Sequence, residues 1–202
     1  MTEIPVLILA AGNSSRMGGR AKQLLPWGDT TLLGHAIQQA KKVTGSVLVL
    51  LGSQAKAIGE SIEGQAEILV NPQWEKGMGG SISQGTEYLL ATNPVLKGIL
   101  IMVGDQPFLD ASHLGELLDK FQYGNSKIVC TSYGEGLGVP AVFDGSLAGE
   151  FLRLDPQYGA KGIIEKYREQ VLRVSPKGRE GDIDTMEAYH RALASSRGFF
   201  SD

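Results

Sequence analysis

One cysteine, Cys130, occurs in the whole chain, so no disulfide can form within it. That scarcity fits a reducing cytoplasm. Cys130 falls in the strand-like stretch 127–131 and reads as a small buried apolar residue. Long hydrophobic runs are missing too. The apolar stretches at 6–11, 47–51 and 99–103 are far shorter than the roughly 20 residues that span a bilayer, so no membrane partner is expected. Met1-Thr2-Glu3-Ile4 has no basic n-region, and no signal peptide is expected. Nor is there a block of lysine and arginine. With 19 basic against 22 acidic residues the formal net charge is −3, which argues against nucleic acid as a partner. A mildly acidic protein that binds a polyphosphate needs local cations, metal ions or both.

Internal repeats, low-complexity blocks and dividing linkers are absent as well. The 202 residues suit one domain over 1–202, long enough to bury a substantial core. A 42% hydrophobic and 20% charged make-up places the chain with ordinary soluble proteins rather than disordered or fibrous ones. The stretch 195–202 has no clear pattern and reads either as a frayed tail or as two phenylalanines docked on the body.

Short β-rich runs alternate with longer amphipathic stretches. Strands are predicted at 5–10, 46–51, 67–70, 98–102, 128–131, 139–143 and 171–174. Helices are predicted at 31–42, 54–62, 81–90, 112–121, 146–154, 161–170 and 184–194. Each strand is a near-continuous apolar run, which predicts a sheet covered on both faces. The alternation predicts an α/β fold, a three-layer α/β/α arrangement with a mainly parallel sheet. Ligands of such sheets bind beyond the carboxyl ends of the strands.

At that place, after the first strand, the chain runs Leu9-Ala10-Ala11-Gly12-Asn13-Ser14-Ser15-Arg16-Met17-Gly18-Gly19-Arg20-Ala21-Lys22-Gln23-Leu24-Leu25-Pro26. Such a loop can fold its backbone N–H groups around phosphate oxygens, and Gly12, Gly18 and Gly19 permit angles that other residues resist. Arg16 and Lys22 supply fixed positive charge. The spacing is neither that of a P-loop, which Gly12 to Gly18 exceeds by one residue, nor a dinucleotide fingerprint, which Gly12-Asn13-Ser14 breaks.

Two aspartates stand at other strand or helix ends. Gly98 to Val103 is a buried strand closed by Gly104-Asp105-Gln106-Pro107, which puts Asp105 at the carboxyl edge of the sheet. Asp184, in Asp182-Ile183-Asp184-Thr185-Met186, precedes the last helix. Taken singly, Asp105 suits a turn or the cap of the helix near Ser112 just as well, and Asp184 suits an N-cap. Magnesium is commonly held by one or two carboxylates plus phosphate oxygens and water.

The glycine-rich loop resembles the signature of nucleotidyltransferases with a glycosyltransferase-A-like fold, the Rossmann-like nucleotide-diphospho-sugar transferase fold. The resemblance extends over nearly the whole chain. It is closest to the group containing molybdenum cofactor cytidylyltransferase and its guanylyl relatives, through Asn71 to Gly85 and through Tyr158-Gly159-Ala160-Lys161-Gly162. It implies that Leu9, Ala10, Ala11, Gly12, Arg16, Gly18 and Lys22 bind the nucleotide, with Gly77, Gly80, Ser81 and Lys161. Lys22, Arg16 and Asp105 would serve catalysis, and Asp105 with Asp184 would bind magnesium. Family members carry proline and aspartate where this chain has Met186 and Ala188, and neither change removes a ligand. Many carry histidine before the proline at 140; Val139 stands there instead, which leaves the acceptor side open.

The implied reaction moves CMP from CTP, or GMP from GTP, onto the terminal phosphate of molybdopterin and releases pyrophosphate. The Leu9-Ala10-Ala11-Gly12 form accompanies cytidylyl transfer in this group. His35, His113 and His190 lie in helical stretches outside every motif and read as surface or packing residues. A sugar phosphate or methylerythritol phosphate as acceptor, or a non-catalytic module that hands the cofactor to a molybdoenzyme or maturation partner, are the alternative readings.

Overall fold

Five consecutive aliphatic residues make the strand β1 (Val6–Ala10), and all five are buried. The computed structural model describes residues 4–196. After β1 come a two-residue hairpin, β2 (Pro26–Trp27) and β3 (Thr30–Thr31), then α1 (Leu32–Lys41), β4 (Val47–Leu51), α2 (Ala55–Ser61) and β5 (Glu67–Val70). The chain continues with α3 (Met78–Thr92), β6 (Gly98–Val103), α4 (Ala111–Tyr123), β7 (Ile128–Tyr133) and β8 (Gly136–Asp144). It closes with α5 (Ala148–Phe151), α6 (Lys161–Lys166), β9 (Val171–Val174) and α7 (Met186–Ser196). Residues 195 and 196 thus end a helix, and the rest of the patternless 195–202 stretch lies outside the described residues.

Seven strands form one sheet in the order β5-β4-β1-β6-β8-β7-β9. Neighbours pair in parallel except around β8, which runs antiparallel to both β6 and β7. Because side chains alternate across a strand, Val6, Ile8 and Ala10 face one layer and Leu7 and Leu9 the other. The first layer packs on Leu33, Ile37 and Ala40 of α1 and Leu114 and Leu117 of α4. The second packs on Ile82 and Leu89 of α3, Phe151 of α5 and Ile163 of α6. The fold is α/β, three layers with a mainly parallel sheet, of the glycosyltransferase-A-like kind. Among the described residues no helix is long and apolar enough to cross a membrane. Burial within β7 pushes the Cys130 thiol up to about 11, so it is an inert packing group.

Three expectations are corrected. Not every strand is covered on both faces: Glu67, Ile68 and Val70 of β5 and Leu172 and Arg173 of β9 are exposed, because these two strands are the edges of the sheet. The third helix begins at Met78 rather than at 81, although two glycines fall in its first turn. The stretches 146–154 and 161–170 are not single helices. Each divides into one short α segment and a 3-10 turn, Gly145–Leu147 before α5 and Arg168–Gln170 after α6.

Candidate active site

β1 ends at Ala10, and the loop beyond it folds over the carboxyl edge of the sheet as two 3-10 turns, Ser15–Met17 and Lys22–Leu24. Gly18 and Gly19 have φ of 63° and 83°, values that side chains resist, so glycine is required there by the turn itself. Gly12 is different. Its φ is not positive, and a Cβ added to it would meet nothing within 4 Å, so nothing among the described residues demands its missing side chain.

The loop is pinned from inside by Gln23, which sequence reasoning missed. This side chain is 3% exposed. Its Nε2 donates to the carbonyls of Ala10 at 2.9 Å and Gly12 at 3.3 Å. Its Oε1 accepts from the Ser14 hydroxyl at 3.2 Å, and the Ser14 oxygen accepts from the Lys22 N–H at 3.1 Å. The only sequence signal was an amide between Lys22 and two leucines, a polar group in an apolar setting.

Lys22, so positioned, points its ammonium between two carboxylates. It donates to Oδ2 of Asp105 and, at 3.1 Å, to Oδ1 of Asp184. Arg16 pairs with Oδ2 of Asp184 at 2.9 Å. Asp105 is carried by the end of β6. Asp184 arrives on an irregular strap, residues 175–185, that crosses from β9 to α7. The strap is anchored by Arg179 on Asp110 at 2.6 Å, by the buried Ile183, and by the Ile183 N–H bonded to the Asp105 carbonyl at 2.9 Å. Neither aspartate is spent on capping. Asp110 caps α4 by accepting from the His113 N–H, and Thr185 accepts from the Ala188 N–H at the start of α7.

Burial and like charges explain the electrostatics. The Asp105 carboxyl is held above the usual range first by burial, against the pull of Lys22, with Asp182 and Asp184 adding to the rise. Burial works to lower the Lys22 ammonium, but Asp105 and then Asp184 more than reverse this, and it is held above its ordinary value. One Asp105 oxygen, Oδ1, is buried with no hydrogen-bond partner. A carboxyl raised in the folded state stabilises the fold most below its unfolded pKa of about 4, and that contribution is lost as pH rises through the folded value. The melting temperature of Asp105→Asn minus that of the parent is therefore expected to increase with pH from about 4 upward. A difference that shrinks over that range would mean that pairing with Lys22 outweighs burial.

Leu9, Ala10, Ala11, Gly12, Lys22 and Asp105 line one cleft of about 300 Å³, and Gly77 and Ser81 line its opposite wall. Arg16 and Asp184 join it through their ion pairs, while Gly18 stands at the exposed turn of the loop. Ser81 is buried and accepts from Asn71 Nδ2 at 3.1 Å. Gly80 and Lys161 do not line the cleft; Lys161 is exposed at the first position of α6. None of the three histidines lines it either. His113 is buried against the Thr131 hydroxyl at 2.8 Å, His35 meets the Pro107 carbonyl, and His190 is exposed.

At the glycine-rich start of α3 the Gly79 N–H donates to the Pro156 carbonyl at 2.9 Å. A Cβ at Gly79 would lie 2.2 Å from the Asp155 carbonyl oxygen and 2.4 Å from that of Tyr158. Both are backbone atoms, so the segment must move. Gly79→Ala is expected to cost about 1–3 kcal/mol, a fall of roughly 3–10 °C in melting temperature for a chain of this size. An unchanged thermal melt would show that the 155–158 segment shifts freely.

A second group missed in the sequence lies beside Asp105. Gln106 Nε2 donates to Asp182 Oδ1 at 2.7 Å and to the Tyr133 hydroxyl at 3.1 Å. That hydroxyl donates to the Val139 carbonyl at 2.6 Å, and burial raises its pKa. These residues come from β6, the β7–β8 hairpin and the strap, so no local spacing announces them.

Two converging carboxylates and one buried, unpartnered oxygen suit a hard divalent ion whose other ligands are phosphate and water oxygens. Among the described residues no group of three or more His, Cys, Asp or Glu side chains could cage a metal by itself.

A family described as the MobA-like NTP transferase domain matches residues 6–171. Nicotine blue oxidoreductase of Paenarthrobacter nicotinovorans is 27% identical over 206 aligned residues, covering 95% of this chain and 98% of that protein. Of a bifunctional GlmU protein from Pseudomonas syringae the chain matches only 25% of the length. The crystal structure of a Mycobacterium sp. strain JC1 homologue of the Mycobacterium tuberculosis protein Rv0371c superposes with a TM-score of 0.81 at 31% identity, covering 97% and 98% of the two chains. Rv0371c from Mycobacterium tuberculosis in complex with manganese gives a TM-score of 0.74 at 28% identity, covering 96% and 100%.

Proposed function

The chain belongs to the MobA-like NTP transferase family and is an enzyme of the nucleotidyltransferase type, and from that premise we propose that it transfers CMP from CTP to the terminal phosphate of molybdopterin. The observation that carries this reading is the convergence of Lys22, Arg16, Asp105 and Asp184 at the carboxyl edge of the sheet, beside the cleft that Gly12 lines.

An acceptor phosphate oxygen attacks the α-phosphorus of the nucleotide in line. The new P–O bond forms as the bond to the bridging oxygen breaks, and pyrophosphate leaves with that electron pair. A phosphate monoester has a second pKa of about 6 and is already mostly ionised at neutral pH, so no general base is needed and the histidines stay outside the cleft. Lys22 stabilises charge at the α-phosphate and the bridging oxygen, and Arg16 holds the departing pyrophosphate. Asp105 and Asp184 would hold magnesium, which when bound neutralises phosphate charge. Gly77 and Ser81, across the cleft, and Gly80 and Lys161 beyond it, are assigned to nucleotide and acceptor contacts. Ala11, whose methyl adds about 1–3 kcal/mol of discrimination at most, favours cytosine over guanine.

The test is pyrophosphate release with magnesium and each of CTP, GTP, ATP and UTP, with and without molybdopterin cofactor. Release that needs CTP and the cofactor together is the expected result. Release with CTP that needs a sugar phosphate or methylerythritol phosphate instead would move the acceptor; Val139, where many members of the resembled group carry histidine, favours that second reading. No release with any pairing, in folded protein, would favour a carrier module that passes cofactor to a maturation partner.

A further inference from the structure

Lys22 stands where a metal ion would have to stand. Its ammonium takes one oxygen of Asp105 and one of Asp184, and its side chain is only 18% exposed. Asp184's other oxygen is held by Arg16, which leaves Asp105 Oδ1 as the one buried carboxylate oxygen of the pair without a partner. A divalent ion entering alone must displace an ammonium already held by two carboxylates, and the two cations then repel at close range. A polyphosphate entering alone draws Lys22 toward itself but leaves two carboxylates facing its oxygens. When both enter, Lys22 exchanges carboxylate for phosphate while the ion takes the vacated oxygens, and each cation keeps an anionic partner.

We infer that Lys22 is a resident cation that closes the carboxylate pair to free metal, so that the cleft accepts a metal–polyphosphate complex as one ligand and either component alone only weakly. This deepens the nucleotidyl-transfer reading and rests on it for the placement of phosphate near Lys22.

The test uses manganese(II) and inorganic tripolyphosphate, which makes it independent of base and acceptor. Manganese binding to the full chain without anion is followed by the free-ion electron paramagnetic resonance signal. Lys22→Met is expected to bind manganese at least about tenfold more tightly than the parent, whereas Lys22→Arg, which keeps the cation, shows no gain. Lys22→Met that binds manganese no better than the parent overturns the inference. A second measurement needs no variant. By calorimetry, the parent is expected to bind magnesium-loaded tripolyphosphate at least about tenfold more tightly than tripolyphosphate in chelator, and equal affinities would also overturn it. A failure of nucleotidyl transfer with every nucleotide would leave the manganese result for Lys22→Met standing, so the two ideas fail separately.

Discussion

Asp105→Ala protein, held at saturating magnesium, is expected to release pyrophosphate about 10²–10³-fold more slowly than the parent, the scale seen when a fixed electrostatic contact to the transition state is removed. The reason is the position of this carboxylate. It lies just beyond the end of a buried strand, its side chain is only 16% exposed, and its free oxygen has no partner among the described residues. Without it Asp184 is left as a single carboxylate where the pair had been, and Asp182 is hydrogen-bonded to Gln106. The substitution also frees Lys22, whose displaced ammonium aggravates the loss. A coupled pyrophosphate assay, with circular dichroism to verify folding, decides the matter. Retained release at saturating magnesium removes Asp105 from the metal site.

Lys22→Ala is expected to lower kcat by about 10²–10³-fold while changing nucleotide affinity by less than tenfold. Charge developing between the α-phosphate and the bridging oxygen is met by an ammonium whose backbone N–H and neighbouring Gln23 lock it to the loop. A preorganised charge of that kind acts mainly in the transition state. Affinity comes from more of the cleft, including the backbone from Leu9 to Gly12 and the opposite wall. Arg16→Ala should cost less, about tenfold, because its guanidinium is 68% exposed and screened by solvent. Steady-state kinetics paired with equilibrium nucleotide binding separates the cases. A Lys22→Ala enzyme with near-parent kcat would rule out the role given to this residue.

Much of the arrangement is legible in the sequence, for identifiable reasons. The continuous aliphatic runs of β1, β4 and β6 announce buried parallel strands, and the loop after β1 combines small residues with fixed cations. What could not be read depends on contacts distant along the chain. Gln23 carries no charge, and its role exists only because the Ala10 and Gly12 carbonyls and the Ser14 hydroxyl turn inward together. Gln106, Tyr133 and Asp182 meet only after a hairpin and a strap have folded. The start of α3 eluded propensity because packing of the 155–158 segment holds two poor helix formers, Gly79 and Gly80, in its first turn. At 184–185 both residues are good N-cap types, and only the register of α7 assigns capping to Thr185 and leaves Asp184 to the cations.

The pairing of Lys22 with Asp184 joins residues 162 positions apart, whereas Lys22 and Asp105 are separated by 83. That difference sets an order of assembly. At roughly 5–20 residues per second, a ribosome needs on the order of 10–30 s to go from Lys22 to Asp184. Lys22 has neither carboxylate until Asp105 has been made, and from then until the strap delivers Asp184 it has one instead of two. Closing so long a loop is also slow by its topology. A nascent or refolding chain can therefore complete its central strands and still hold no metal ligand pair. Nucleotide-dependent protection from proteolysis would report the last event of folding rather than the first.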